Sequence, residues 1–432
     1  MSLFEDKRSR PHFDFLLLLS MYAMMIIGVI AISVANFVPS ETQDLPLLNK
    51  ILASNTGSWQ AIFVVASPAA VWFIVSVPYE HFKTFAPLYY VAIIAFLFIV
   101  MVTSSAIRDV RAWFQGPLGR MLQPAEFSKL TVILMLAKEL SLNEKPLSSM
   151  RSVLRIGTFV LLPSFITYSS GETGSVIILM GIAFLMLYFG GVDWKWILVI
   201  TVVAVLGITA LIAYGVLGDS DSYMLRRILA FIAPEAYART TGLQLLRSQE
   251  AIGSGGLTGV GLFVPGSMSQ LDFVPEDWTD FVFATIGEAV GFVGTVSIVL
   301  LFLFMVLRML YLSRFTYDSF GRLVIIGVMS MLFLHVFQNI AMTIGLMPIT
   351  GIPLPFLSYG GSNLLTNVIG ISLVLNITKN RTAALPNYNI PAGHALRRRR
   401  RRKAAPVYVN LTGEKGLSRL RIRRKSREKA QA

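Results

Sequence analysis

The sequence predicts an all-α, polytopic integral membrane protein with ten transmembrane helices and both termini in the cytoplasm. Three observations carry this expectation. Hydrophobic residues make up 54% of the 432-residue chain and charged residues 14%, well below the roughly one quarter charged in soluble domains. Apolar runs of roughly twenty residues, enough to cross about 30 Å of hydrocarbon as helix, recur along most of the chain. The runs are continuous, whereas a β-barrel would alternate apolar and polar positions.

The spans are placed at 13–35, 59–78, 84–103, 124–141, 153–169, 175–191, 196–217, 281–307, 323–346 and 361–377. An even number of crossings puts both termini on one side. Lys7, Arg8 and Arg10 share that side with Lys138, Lys145, Arg151 and Arg155, with Arg308, Arg314 and Arg322, and with the C-terminal tail. The positive-inside rule makes it cytoplasmic. The organisation is therefore a cytoplasmic segment 1–12, a membrane domain 13–377 with a large extracytoplasmic segment 218–280, and a basic tail 378–432. The polar start that runs into the first span shows no small-residue cleavage site, so this span reads as retained.

The formal net charge of +14 is a property of the tail, where 17 Lys and Arg from Lys379 onward face only Glu414 and Glu428. Such a segment suits anionic lipid headgroups and topology more than nucleic acid, and its composition suggests disorder. Cysteine is absent, which excludes disulfides, thiolate metal sites and a cysteine nucleophile. No Walker loop, metal-binding His pair or Gly-x-Ser-x-Gly elbow is present, so an ATP-driven pump, a zinc protease and a serine hydrolase lose ground.

The most informative stretch is SQLDFVPEDWTDFVF, 269–283, which gathers Asp272, Glu276, Asp277 and Asp280 with no Lys or Arg between Arg247 and Arg308. A cap needs one acid, and this stretch supplies four. Crowded carboxylates repel one another, which favours a proton acceptor or a cation site. Asp280, nearest the lipid boundary, is the candidate general base. Glu126 and Lys129 lie three apart on one helical face and fit a structural ion pair as well as a substrate contact. Glu172 and Glu288 are isolated acids in or near the membrane, more often satisfied polar contacts than catalysts. Gly287 and Gly291 form a small-xxx-small pair that signals close helix packing. Arg226 and Arg227 are candidates to meet an anionic group, or else snorkel at the interface. The broken segment 351–365 brings Ser358, Gly360, Gly361, Ser362 and Asn363 to the outer side, where exposed amides and hydroxyls suit sugar or phosphate.

In this order, QPAEFSKL, GETGSVIIL, QEAIGSGGLTGVGL, SQLDFVPEDWTDFVFATIGEAVG and GLMPITGIPLPFLSYGGS resemble the SEDS family of shape, elongation, division and sporulation proteins (RodA, FtsW, SpoVE), RodA most of all. The resemblance runs from the third span to the tenth. It implies ten transmembrane helices, a peptidoglycan glycosyltransferase that uses lipid II, an essential aspartate at Asp280, and a class B penicillin-binding protein as partner. Within its motifs, Glu276 and Thr279 precede the aspartate, and Ser358, Gly360, Gly361 and Ser362 form the second string. Departures are Trp278 where the family often has His, Val260 where it has Lys, and SGETGS around Glu172 where it has Gln-Pro-Asp-Leu-Gly-Thr.

The expected chemistry is inverting transfer at the outer face of a bacterial cytoplasmic membrane. Asp280 takes the proton of an acceptor hydroxyl, polyprenyl pyrophosphate leaves, and a β-1,4 glycan grows for cell elongation and shape. A divalent cation, Mg or Mn, is compatible with the acids. Two alternatives stand beside it: a lipid II flippase, which would place essential acids near the midplane, and a non-enzymatic scaffold of the elongation or division machinery.

Overall fold

The computed structural model describes residues 13–38, 44–104, 110–116, 121–142, 147, 149–217, 223–238, 241–271 and 273–380. The basic segments 1–12 and 381–432, and with them most of the expected tail, lie outside the described residues, as does Asp272. Within them the chain is helical throughout, apart from connecting loops and one two-residue hairpin.

The helices follow in order: α1 (Phe15–Ala35), α2 (Leu47–Ala53), α3 (Asn55–Ser76), α4 (Tyr79–Thr103), α5 (Pro124–Leu142), α6 (Met150–Ser169), α7 (Thr173–Phe189), α8 (Trp194–Leu217), α9 (Tyr223–Ile232), α10 (Thr241–Ser254), α11 (Val282–Arg314), α12 (Ser319–Thr343) and α13 (Gly361–Asn380). Strands β1 (Phe114–Gln115) and β2 (Met121–Leu122) pair antiparallel just ahead of α5. Each predicted span falls on one of these helices. Among the described residues seven of them, α1, α3, α4, α6, α11, α12 and α13, are long and apolar enough to cross a membrane. Helix α7 is shorter, and α5 carries Glu126, Lys129, Lys138 and Glu139.

Local signals start several helices where the sequence changes character. Asp14 accepts from the Leu17 amide at 2.9 Å, and Asp318 from the Gly321 amide at 2.9 Å, each satisfying an orphan donor of the first turn. Asp14 also meets Arg308 at 2.8 Å, which ties the start of α1 to the far end of α11. Helices α12 and α13 form the centre, with 78% and 83% of their apolar windows buried, against 22% for α3 and α4, which leave most of their apolar surface exposed. Helix α12 packs against α5, α7 and α11, and α13 packs against α3 and α5.

Two features depart from the sequence reading. The connection between the first two predicted spans, 36–58, contains a helix that the span assignment does not include, α2, with Lys50 set over the rings of Phe37 and Phe263. Gly291 does more than let helices approach: at φ 65° it breaks α11. The segment 256–261 is stitched into that break, with Val260 and Gly261 donating to the carbonyls of Glu288 and Ala289, and Phe292 and Val293 donating to Gly256 and Leu257. A Cβ at Gly259 would lie 2.2 Å from the Ala289 carbonyl oxygen, so only glycine admits this approach.

A charged pair sits inside the bundle. Lys129 (1% exposed) donates to Glu126 (2% exposed) at 2.7 Å. Its ammonium also lies 2.8 Å from His335 Nε2 on α12, while Asn363 of α13 donates to Glu126 at 3.1 Å. Since His335 Nδ1 faces the Met331 carbonyl at 2.7 Å, Nδ1 carries the ring proton and Nε2 accepts from Lys129. Removing one partner leaves the other as an uncompensated buried charge. We expect Lys129→Met alone to cost about 3 kcal/mol or more by that principle, and Glu126→Gln combined with Lys129→Met to cost less than either single change. Thermal unfolding in detergent of the two single variants and the double variant measures this; a double variant less stable than both singles would contradict the assignment.

Candidate active site

Two non-helical loops, 273–281 before α11 and 350–360 before α13, build the site. Irregular backbone shielded from water must find its hydrogen bonds in the protein, and here the loops satisfy each other. Ser358 Oγ donates to the Thr279 carbonyl and accepts from the Leu354 amide at 2.8 Å, and the Tyr359 amide donates to the Trp278 carbonyl at 2.9 Å. Asn339 of α12 sends its amide group to the carbonyls of Asp280 and Ile352, both at 2.7 Å. Each loop holds one non-glycine residue in left-handed backbone, Glu276 at φ 61° and Phe356 at φ 65°. Such positions cost on the order of 1 kcal/mol or more and persist where surroundings over-determine them. Within its own loop, Glu276 accepts from Thr279 Oγ1 at 3.0 Å.

Asp280 is half-buried at the end of the first loop. Its Oδ2 lies 3.3 Å from the point where a Cβ on Gly351 would stand, and the two terminal nitrogens of Arg227 lie 3.9 Å from that same point. Carboxylate and guanidinium therefore share the space over a glycine whose φ is 69°. Arg227 reaches this place from α9, anchored by a 3.1 Å bond from Nη1 to the Ile349 carbonyl. Its neighbour Arg226 is exposed on the same helix.

A second polar group adjoins the first. Gln123 donates its side-chain amide to Glu172, and its backbone amide to Ser362 Oγ at 3.0 Å. Glu126, Lys129 and His335 lie below it in the bundle. The start of α7 presses on the second loop, since a Cβ at Gly174 would stand 2.6 Å from the Thr350 carbonyl oxygen. Glu172, in the link between α6 and α7, has a covered Oε2. Burial pushes its carboxyl up to about 7; the Gln123 bond pulls the other way, and the Glu126 charge adds to the rise.

Beside these groups an apolar cavity of about 500 Å³ opens, lined by Trp59, Phe63, Phe127, Leu364, Leu365 and Val368 and reaching Ser362 at one end. Gly361 belongs to its wall, close against the Phe63 ring. Gly360 carries the chain from the second loop into α13.

The structure thus brings Asp280, Arg227, Glu276, Thr279 and Ser358 together, and sets Glu126, Lys129, Glu172 and Ser362 in an adjoining cluster. Glu288 stands apart as a latch: it accepts from the amides of Met268 (2.6 Å) and Ser269 (3.0 Å) and from the Ser269 hydroxyl (2.7 Å), which holds the segment that leads to the acids. Among the described residues no group of three or more His, Cys, Asp or Glu is gathered as a metal site. The sequence reading missed Gln123, His335 and Asn339. Their signal was available as polar side chains at the edges of, or within, apolar runs, which begin as functional hypotheses in a membrane helix.

A polytopic helical membrane protein with a polar site where two broken loops meet one end of its bundle is the class that this fold and site define. The sequence profile described as "Cell cycle protein", FtsW/RodA/SpoVE, matches residues 14–383, and the chain belongs to that family. It is similar to the peptidoglycan glycosyltransferase MrdB of Escherichia coli (strain K12), 28% identical over 372 residues that cover 86% of this chain and 95% of the relative. It is also similar to stage V sporulation protein E of Bacillus subtilis, 31% identical over 324 residues, 74% of this chain and 86% of that one. Among solved structures, a chain from "Structural coordination of polymerization and crosslinking by a peptidoglycan synthase complex" superposes with a TM-score of 0.69 at 24% identity, covering 85% of this chain and 98% of that one. The rod shape determining protein RodA of Thermus thermophilus superposes with a TM-score of 0.62 at 22% identity, covering 85% of this chain and 97% of that one.

The raised Glu172 carboxyl has a signed consequence. Between its ordinary 4.5 and about 7 the folded protein keeps a proton that the unfolded chain gives up, so this group destabilises the fold as pH rises through that window. Glu172→Gln removes the penalty. Its melting temperature should match wild type near pH 4.5 and exceed it at pH 8; a variant that melts at or below wild type at pH 8 contradicts the assignment.

Proposed function

We propose that this chain, a peptidoglycan glycosyltransferase of the family to which it belongs, polymerises lipid II into β-1,4 glycan at the outer face of a bacterial cytoplasmic membrane, with Asp280 as general base. The observation that carries the reading is the approach of the Asp280 carboxylate and the Arg227 guanidinium to the same point over Gly351. One group suits a sugar hydroxyl, the other a pyrophosphate. The relatives' names supply the reaction class, and the residues supply the roles.

Asp280 accepts the proton of the acceptor's 4-hydroxyl as that oxygen bonds to the anomeric carbon of the lipid-linked donor. A positioned base of this kind contributes typically about 10²–10⁴-fold. The bond from the anomeric carbon to the phosphate oxygen breaks, its electron pair goes to pyrophosphate, and the α-linked donor becomes a β-linked glycan. The leaving group departs as a stabilised anion, so no protonated acid is required. Arg227 supplies charge where the pyrophosphate develops it, and Arg226 adds a second positive charge on the same helix. Ser358 and Thr279 hold the loop, and Ser362 and the glycines at 360 and 361 shape the passage toward the apolar cavity. That cavity suits the polyprenyl chain, whose hydrocarbon needs a lining without unpaired polar groups.

Ten crossings with both termini cytoplasmic put this end of the bundle outside. A class B penicillin-binding protein is the proposed partner, and the basic tail is assigned to anionic lipids. Among the rivals, a flippase needs its essential acids near the midplane; the Asp280 and Glu276 loop stands at a bundle end, which favours synthesis. A scaffold needs no base and tolerates its loss.

Purified protein reconstituted with labelled lipid II, with and without a transpeptidase partner, tests the reading. Asp280→Asn, nearly isosteric, should lower polymer formation by about 10²-fold or more while the protein remains folded. Lipid II that crosses vesicles without polymer would favour the flippase. Gly351→Ala adds a Cβ against Asp280 Oδ2 at a left-handed φ. By steric strain of about 1 kcal/mol or more it should lower both melting temperature and turnover, and unchanged turnover would remove the shared space over Gly351 from the mechanism.

A further inference from the structure

We infer that Asn339 is a positioning residue for Asp280, holding the proposed base at its place over Gly351. The inference rests on the reading of Asp280 given above and concerns a residue that touches neither substrate nor reacting atoms.

Asn339 lies at the core of α12 and is completely buried. Its amide nitrogen has two hydrogens, and each has one acceptor: the main-chain carbonyl of Asp280 at 2.7 Å and that of Ile352 at 2.7 Å. The two acceptors belong to different loops. One carries the carboxylate; the other flanks Gly351, the glycine over which that carboxylate stands. A single planar NH2 group thus fixes the distance between the base's own peptide and the floor beneath its side chain. No apolar residue of the same size can do this, and the amide is kept although its buried Oδ1 has no hydrogen-bond partner among the described residues, a cost that the two NH2 bonds offset.

The anchor itself is held. Thr343, one turn on, donates to the Asn339 carbonyl at 2.7 Å, and Ser248 of α10 donates to the Thr343 carbonyl at 2.8 Å. One position before Asn339, Gln338 donates to Thr350 Oγ1 at 3.2 Å, so α12 grips the second loop on both sides of Gly351. One turn back, His335 takes the Lys129 bond from α5. The rigid helix at the centre of the bundle therefore sets the loop geometry. A misplacement of about 1 Å at a reacting group can cost on the order of 10²-fold in rate, and a residue that prevents it acts on turnover more than on substrate affinity.

The test compares wild type, Asn339→Leu, Asn339→Ser, Asn339→Asp and Asp280→Asn as full chains reconstituted with labelled lipid II, with kcat, KM and melting temperature measured for each. The expected result is a kcat lowered about tenfold or more in Asn339→Leu and Asn339→Ser, with KM within about twofold of wild type. Asn339→Asp adds a readout that plain packing would not move. A protonated carboxyl can still donate to one carbonyl, and an ionised one donates to neither and repels both, so its kcat should fall as pH rises from 5 to 8 while the variant stays folded. If Asn339→Leu fails to fold, Asn339→Ser and Asn339→Asp carry the decision. Wild-type kcat in folded Asn339→Leu or Asn339→Ser, wild-type kcat at pH 8 in folded Asn339→Asp, or a loss seen only as raised KM overturns the inference. The two readings fail separately: Asp280→Asn with wild-type turnover removes the base, and with it any base for Asn339 to place, whereas inactive Asp280→Asn beside fully active Asn339 variants removes the positioning role alone.

Discussion

The structure depends on one constraint: non-helical backbone near the lipid must have its polar groups paired within the protein. Loops 273–281 and 350–360 meet that demand by bonding to each other and to α12, through Ser358 to Thr279, Tyr359 to Trp278, and Asn339 to Asp280 and Ile352. The requirement that makes such loops rare in membranes is also what makes these two rigid. Rigidity has a use here, because the backbone that carries the Asp280 carboxylate is held in place by bonds to the second loop and to α12.

The charge distribution follows the same logic at greater depth. Lys129 and Glu126 would be expensive alone inside the bundle, and they are kept by mutual contact, His335 and Asn363. Such a cluster adds little net stability over apolar side chains of similar volume. What it adds is a fixed relation among α5, α12 and α13, the helices on which both loops and Gln123 depend. The broken α11 works similarly: Gly291 opens carbonyls that segment 256–261 fills, and Glu288 then latches residues 268–269, so the approach to the acids has a defined course.

Much of this was legible in the sequence. Long apolar runs placed the helices, because hydrocarbon thickness imposes a length that composition reveals directly. The acids before α11 and the Pro/Gly-broken stretch before α13 marked the two loops, since both violate what a membrane helix tolerates. Their mutual hydrogen bonding was not legible: it joins backbone atoms some eighty residues apart and leaves no periodic trace. Asn339 and His335 were hidden for a related reason. A lone polar residue in an apolar helix shows that a partner exists, but not which one. Gly291 read as a packing glycine because the small-xxx-small spacing is the same whether a helix approaches or a loop inserts. Arg227 was visible as a candidate for anions, and its position beside Asp280 required the fold of α9 back over the second loop.

The central claim is that Asp280 and Arg227, held over Gly351, meet the acceptor hydroxyl and the pyrophosphate of a lipid-linked donor. A structure of the reconstituted protein in nanodiscs, with a short glycan acceptor and a non-transferable lipid II analogue bound, tests it most directly. The account predicts the acceptor's 4-hydroxyl within hydrogen-bonding reach of the Asp280 carboxylate, the pyrophosphate at Arg227, and the polyprenyl chain in the cavity beside Phe63 and Val368. Sugars bound away from Asp280, or a donor held midway through the bundle with no acceptor beside it, would contradict the account.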